Sequence, residues 1–572
     1  MKILGISPDV WISSAAIVED GVIVAASPEE RFNREKMSQR FPFKSIEYCL
    51  EEAKTSFEEI DYVAMPWNPG VHLQSASLRY SNSIRWRGEY LYSIPSSLLN
   101  RFHFPKIECM EEKLIFSNNK ELSILFVDHH LSHCGNGFLL SPFEEAAILT
   151  IDGRGESETC VLATGQNNNI NKIETILMPH SLGLFYGAIT EYLGFKPDSD
   201  EWKVMALASY GEFNNEYYKK INKIVKLKEN GTFEFNLSYF NYFLFDKQPT
   251  MYSDKLLKLL GPERKKSDEV LNEKYIQIAA AAQQMFEECV VHMVNNLYKK
   301  TKSTNLVLSG GCAMNSVLNG KILDLTPFEN LFVSSCPDDS GTSIGAALYV
   351  YNCMLKNKRA FFPVHNYWGK AFSNDDIKEA IEKYKVKSDY CHEIEKVTAK
   401  LISEGKLIGW FQGRMEFGQR ALGNRSILAD PRSVESKELV NRAVKYRETF
   451  RPFAPSILEE YVNDYFKIYS GVKVPFMEKV FKIKDEKRES IPAVVHVDGS
   501  GRLQTVSKST NPLYYSLINE FRKLTNIPVV LNTSFNLNGE PIVCTPTDAI
   551  RTFFSCGLDC LVMGNYLVKK AI

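Results

Sequence analysis

Residues 144–178, EEAAILTIDGRGESETCVLATGQNNNINKIETILM, decide how the chain folds. Ala146 to Ile151 is a short apolar run that ends in Asp152-Gly153, the kind of step that stops a strand and turns the chain. ETCVLATG (158–165) supplies a second run of strand-forming residues, and after the polar QNNN turn NKIETILM (171–178) supplies a third.

The same grammar opens the chain. KILGIS (2–7), SSAAIVEDG (13–21) and VIVAASPEE (22–30) read as strand, strand and strand, with Asp20-Gly21 as a hairpin signal between the last two. Helical segments follow each copy. Two such units predict an internally duplicated α/β domain, the way actin-like (ASKHA, RNase H-like) and sugar-kinase-like ATPase domains are built, with nucleotide held between the halves. A fold of this kind names no reaction by itself.

Further along, apolar residues interleaved with polar ones predict a helix over Lys274–Lys299. NLVLSGG (305–311) and NLFVSSC (330–336) read as strands running into loops. The region Asn357–Ser373 carries Pro363 and Gly369 and little periodicity, which places a domain boundary there. The expected division is 1–360 for a domain with metal and nucleotide sites and 361–572 for a second α/β domain. In the latter, Asn374–Tyr384 reads as a helix, and LIGWFQG (407–413), AVVHVDG (493–499) and IPVVLNT (527–533) as strands.

At 572 residues the chain suits two domains or three. Its formal charge of -1 gives no global field to recruit nucleic acid or an anionic membrane surface. No apolar run reaches the roughly 18 residues needed to span a bilayer. MKILGISPDV reads as a strand and not as a signal peptide. Twelve cysteines without a C-x-x-C pair read as reduced, mostly buried thiols of a cytoplasmic protein; Cys556 and Cys560, four apart, are read as packed in the core.

Three groups of residues could carry chemistry. In VDHHLSHC (127–134), His129 and His133 share one helix face at a spacing that suits one divalent ion. A third ligand has to come from elsewhere, and Asp339 in CPDDSGTSIGAA (336–347) is the best placed, while one of Asp338 and Asp339 is expected to cap the following helix. Two histidines and one carboxylate leave coordination positions open and suit iron, manganese or zinc. Asp152 and Gly153 in TIDGRGE, and Gly310, Gly311 and Asn315 in LSGGCAMN, form glycine turns after strands, where backbone N–H groups bind phosphate or ribose. Between Gly413 and Pro452 lie seven arginines (Arg414, Arg420, Arg425, Arg432, Arg442, Arg447, Arg451) with Lys437 and Lys445, interleaved with glycine and proline as in a pocket for anionic ligands. Asn532, Thr533, Ser534 and Asn536 end a strand with small polar groups suited to an amide or a nucleotide; His496 reads as a packed histidine.

Longer strings carry a family likeness. SLGLFYGAITEYLGF, EWKVMALASYG, GRMEFGQRALGNRSILADPR, YRETFRPFAPSILEE, HVDGSGRLQT and NTSFNLNGEPIVCTP resemble, nearly end to end, the O-carbamoyltransferases of nodulation-factor and antibiotic biosynthesis. That resemblance implies an actin-like domain similar to the tRNA threonylcarbamoyl-transfer protein, followed by a YrdC-like domain. It implies carbamoyl phosphate and ATP with Mg as substrates, carbamoyl-adenylate as intermediate, and a small-molecule hydroxyl, of a sugar or secondary metabolite, as acceptor. Lys445, Arg447, Arg451, Arg420, Arg425, Asn532 and Ser534 would serve adenylate formation. Asp152, Gly153, Lys203, Gly310, Gly311 and Asn315 would hold the nucleotide for transfer beside a metal, iron before manganese or zinc, on His129, His133 and Asp339.

One stretch departs from the pattern. The family shows a His-Asp pair after the first strand, where GISPDVWISSAAI places Trp11 and Ile12. Imidazole takes a proton from a hydroxyl and indole does not. The alternatives are another base (Asp9, or one of His129 and His130), an acceptor other than a hydroxyl, or a nucleotide-binding or regulatory protein without transfer.

Overall fold

The computed structural model describes residues 1–8, 11–69, 109–247, 249–360, 364–445, 448, 450–469 and 471–570. Strands β1 (Lys2–Ser7), β2 (Ser14–Glu19) and β3 (Val22–Pro28) form an antiparallel meander. Asp20 and Gly21 both adopt positive φ, 48° and 80°, as the tight β2–β3 turn requires. Strands β4 (Tyr62–Met65) and β6 (Glu121–Val127) continue the sheet in parallel, with β5 (Cys109–Ile115) antiparallel at the edge, in the order β3-β2-β1-β4-β6-β5.

The second copy repeats this plan. Strands β7 (Glu145–Ile151), β8 (Glu158–Gln166) and β9 (Asn169–Leu177) form its meander, with a short ladder of β10 (Val225–Leu227) and β11 (Phe233–Phe235) set apart. Strands β12 (Asn305–Ser309) and β13 (Asn330–Val333) add in parallel, giving β9-β8-β7-β12-β13. A meander of three strands followed by parallel additions next to its first strand, made twice, is the duplicated actin-like architecture. The helix expected near Lys274–Lys299 spans Glu273–Thr301, capped by the Asn272 side chain and ended by Lys302 in a left-handed conformation. It buries Ile278, Ala279, Ala282, Met285 and Phe286 in the core over the second sheet.

Small residues bring the two copies together where chemistry is expected. The helix Thr342–Leu348 lies so close to β1 that a Cβ on Gly5 would stand 1.9 Å from the Ser343 carbonyl oxygen. It lies equally close to the helix His129–Cys134, where a Cβ on Gly345 would stand 1.9 Å from the Ser132 oxygen. This packing holds the loop before Thr342 over the histidines.

The remaining strands, β14 (Ser388–Tyr390), β15 (Ile408–Phe411), β16 (Arg425–Ala429), β17 (Ala454–Leu458), β18 (Lys479–Lys482), β19 (Ser500–Val506), β20 (Val529–Ser534), β21 (Cys560–Met563) and β22 (Tyr566–Lys569), form one mixed sheet. Its order is β14-β22-β21-β15-β16-β20-β17-β19-β18. AVVHVDG is not a strand. Pro492 opens a single 3-10 turn, and the His496 N–H bonds back to the Ser500 carbonyl at 2.7 Å, closing a tight turn through Gly499 before β19 begins.

Candidate active site

Four side chains converge at the seam between the two actin-like halves. Asp128 caps the helix His129–Cys134 by accepting the Leu131 N–H, which fixes where the helix starts. His129 and His133 then stack one turn apart, fully buried, with their Nε2 atoms 3.1 Å from each other. Asp152, at the end of β7, brings Oδ2 to 3.2 Å from His129 Nε2 and 3.6 Å from His133 Nε2. Asp339 brings Oδ1 to 3.6 Å and 3.5 Å of the same atoms. Asp338, not Asp339, does the capping, through its bond from the Ser340 N–H.

This donor set fits a metal ion. The Nδ1 of His129 stands 3.1 Å from the Pro66 carbonyl, to which it donates, leaving the Nε2 lone pair for the cluster. The ligand atoms of His129, His133, Asp152 and Asp339 all lie within 4.8 Å of one another. Burial pulls the His129 imidazole toward neutrality, but the carboxylates of Asp152 and Asp339 outweigh it and hold its pKa well above the usual value. Burial raises Asp152 in the opposite sense, and the two imidazoles overcome it. Anionic oxygens around paired imidazoles are satisfied by protons or by a cation, and the spacing suits a cation.

The glycine turn is tied to the same cluster. The Gly311 N–H donates to Asp152 Oδ1 at 3.0 Å. Gly310 has φ 89°, and a Cβ there would stand 2.2 Å from the Ile151 oxygen, so only glycine lets the turn cross the end of β7. Asn315 caps the helix Ser316–Leu325 and exchanges amide hydrogen bonds with Gln283, which also accepts from the Tyr186 hydroxyl. Gly153, Gly311 and Asn315 all face a cavity of about 1620 Å³.

That cavity continues into the C-terminal half, where Arg420, Lys445, Arg451, Asn532 and Ser534 line it. Lys445 Nζ donates to Ser534 O at 2.6 Å and to Asn536 O and Oδ1 at 3.0 and 2.8 Å, which fixes the ammonium at the end of β20. Asn532 is buried and spends its amide N–H groups on Ala421 O, Ser456 Oγ and Gln504 Oε1. Lys203, on the helix Glu201–Ala208, joins Arg451 through Glu448, at 3.0 and 3.1 Å, and the Arg451 guanidinium stacks 3.7 Å above the Trp202 ring. Glu448 was not legible as a site residue, since one acid within a basic run carries no signal of its own.

Two expectations about these residues change. Arg425 does not face the cavity: its guanidinium is fully buried against Phe411 and donates to the carbonyls of Gln412, Gly413, Asn424 and Lys370. It braces the loop that carries Arg420. His130 holds Thr150 Oγ1 at 2.6 Å and Glu158 O at 3.1 Å, so both ring nitrogens are occupied and neither faces an acceptor; burial with its histidine neighbours lowers its pKa well below the usual value. Arg447 and Asp9 lie outside the described residues. His496, which reads in sequence as a packed histidine, lines the cavity, as does Arg502. At the departure noted above, the Trp11 backbone N–H donates to Asp339 Oδ2 at 3.3 Å and Ile12 is buried.

The duplicated actin-like fold thus carries a metal-competent cluster that opens onto a cavity lined by cationic side chains of the C-terminal half. The chain belongs to the carbamoyltransferase family. Residues 2–348 match the model described as carbamoyltransferase N-terminus and residues 399–570 the one described as carbamoyltransferase C-terminus. An uncharacterized protein of Synechocystis is 39% identical, covering 99% of this chain and 96% of its own. The nodulation protein NolNO of Sinorhizobium fredii is 37% identical over 97% of this chain and 78% of its own. The 3'-hydroxymethylcephem-O-carbamoyltransferase of Streptomyces clavuligerus is 27% identical over 76% and 78%. Among solved structures, component A of the (R)-2-hydroxyglutaryl-CoA dehydratase of Acidaminococcus fermentans is similar at a TM-score of 0.31 and 15% identity, over 61% of this chain and 97% of that one. All twelve cysteines are free, and among the described residues no helix is long and apolar enough to cross a membrane.

Proposed function

We propose that residues 361–572 cleave carbamoyl phosphate to carbamate and inorganic phosphate and join the carbamate to ATP, with Mg, giving carbamoyl-adenylate and pyrophosphate, and that residues 1–360 transfer the carbamoyl group to a small-molecule hydroxyl with release of AMP. One observation carries this reading: a single cavity is lined both by Asp152 and Asp339 and by Lys445, Arg451 and Ser534. An adenylate made at one end has only the length of this cavity to travel to the other, which matters for a reactive mixed anhydride.

Arg420, Lys445 and Arg451 neutralise phosphate charge as pyrophosphate leaves. Lys445 acts as a point charge already oriented by Ser534 and Asn536, so little reorganisation is needed when the triphosphate binds. The Gly310-Gly311 turn, Gly153 and Asn315 then receive the adenylate beside the cluster. His129, His133 and Asp339, joined by Asp152, would hold a divalent ion, iron before manganese or zinc, which when bound would supply Lewis acidity to the transfer. The resemblance to O-carbamoyltransferases supports a hydroxyl as acceptor.

The division of labour is tested by two variants. Lys445→Ala is expected to abolish pyrophosphate release from ATP and carbamoyl phosphate, whereas His133→Ala keeps it and loses only transfer. Equal loss of both steps in both variants would contradict two separate sites.

A further inference from the structure

A hydroxyl that attacks the adenylate must shed its proton; both ring nitrogens of His130 are already engaged, by Thr150 and Glu158, and the Trp11 indole has no lone pair to take it. His129 and His133 have their Nε2 atoms turned into the cluster. The carboxylates that line the cavity on the side of the metal-competent cluster differ in how they are engaged. Asp200 is paired with Lys203 at 3.1 Å, Glu191 accepts the Met251 N–H, and Glu201 accepts the Asp198 N–H at 2.6 Å.

Asp198 is different. The residue lines the same cavity and is exposed to solvent there, with protein on the sides away from the opening, and its carboxylate accepts no hydrogen bond and forms no ion pair among the described residues. It stands close enough to Asp152, Asp339 and Arg154 to feel the charge of each. Its backbone has φ 58°, a left-handed conformation that aspartate tolerates better than most residues, and the bond from its own N–H to Glu201 holds it there. Burial raises the carboxyl above the usual carboxylate range, with Arg154 pulling it down and the two aspartates adding to the rise, so it is a stronger base than a surface aspartate.

We propose that Asp198 is the catalytic base of the transfer step, a role that rests on the function proposed above. The acceptor O–H proton passes to an Asp198 carboxylate oxygen as the acceptor oxygen bonds to the carbamoyl carbon. The bond from that carbon to the adenylate phosphate oxygen breaks, and AMP leaves with the electron pair. Asp198 then gives the proton to cavity water.

Two probe nucleophiles separate this role from a structural one. Glycerol needs a base to lose its proton, whereas hydroxylamine attacks through a nitrogen lone pair without prior deprotonation. The full chain is supplied with iron(II), ATP, carbamoyl phosphate and either probe, and glycerol carbamate or hydroxyurea is counted per AMP formed. Asp198→Asn, which keeps the shape and suits the left-handed backbone, is expected to lower glycerol carbamate about 100-fold or more and hydroxyurea less than about 3-fold. Asp198→Glu is expected to recover part of the glycerol reaction. Equal losses with both probes, or unchanged glycerol transfer in Asp198→Asn, would overturn the role. So would a wild type that forms adenylate but carbamoylates glycerol no faster than the uncatalysed reaction, since a base open to the cavity serves any small alcohol. A wild type that forms no carbamoyl-adenylate overturns the underlying function, and the role with it.

Discussion

The Nε2 atoms of His129 and His133 face each other across 3.1 Å, with Asp152 Oδ2 and Asp339 Oδ1 within 3.6 Å of both. With His129 donating from Nδ1 to the Pro66 carbonyl, its neutral form turns an Nε2 lone pair toward His133, and only a proton or a cation in the cluster can satisfy it. Removing one donor should therefore release a bound ion. Asp152→Asn and His133→Ala are each expected to weaken iron(II) or manganese(II) binding by more than about 100-fold, read by titration or by metal content after dialysis. Undiminished metal content in both variants would show that the cluster is held by protons.

The two arginines of the FGQRALGNR loop should fail in different ways. Arg420 lines the cavity, and Arg420→Ala is expected to raise the ATP requirement while leaving the melting temperature near that of the wild type. Arg425 is buried against Phe411 and holds four backbone carbonyls. Arg425→Ala orphans them and is expected to cost on the order of 3 kcal/mol or more, seen in denaturant unfolding. A stable Arg425→Ala protein with a selective ATP defect would return Arg425 to the site.

Gly310 is expected to tolerate no side chain. Gly310→Ala forces a Cβ to 2.2 Å from the Ile151 oxygen at φ 89°. Strain of this kind costs on the order of 1–3 kcal/mol before any clash is relieved. The variant should lose thermal stability and nucleotide binding to the actin-like domain together, by calorimetry on the same sample.

His496 gives the fold a sensitivity to acid. Burial, with Arg502, Lys437 and Lys482 adding to it and Asp498 opposing, lowers this imidazole from 6.5 to about 4. Below about 6.5 the unfolded chain takes up a proton that the folded one refuses until about 4. The stability this group contributes is thus complete above the upper value and lost as pH falls through the lower one. His496→Gln should melt with a smaller difference between about pH 7 and pH 4.5 than the wild type. An identical difference in both proteins would remove His496 from the acid response.

Local signals made the fold legible. The Asp20-Gly21 turn and the matching run after Ala146 gave the duplicated meander, because turn chemistry and apolar runs act over a few residues. The AVVHVDG segment misled, since Pro492 and Gly499 outweigh its apolar content. His129, His133 and Asp339 were legible from spacing and loop chemistry. That Asp152 turns into the same cluster was not, because its approach depends on how β7 and the helix His129–Cys134 pack, a contact between residues 23 apart. Arg420 and Arg425 look alike in sequence; that Arg425 packs on Phe411 and binds surrounding carbonyls is decided by tertiary contacts. Asp198 has no motif around it to mark it out, and it gains its interest only from the cavity it faces.

Formation of carbamoyl-adenylate by the chain can be observed without any acceptor. The wild-type protein, supplied with magnesium and iron(II), is incubated with ATP and carbamoyl phosphate without acceptor. Pyrophosphate and the adenylate are then followed together by phosphorus NMR and mass spectrometry. Pyrophosphate release that depends on carbamoyl phosphate is expected, together with a carbamoyl-adenylate peak. Pyrophosphate release independent of carbamoyl phosphate, or no adenylate at all, would contradict the proposed function.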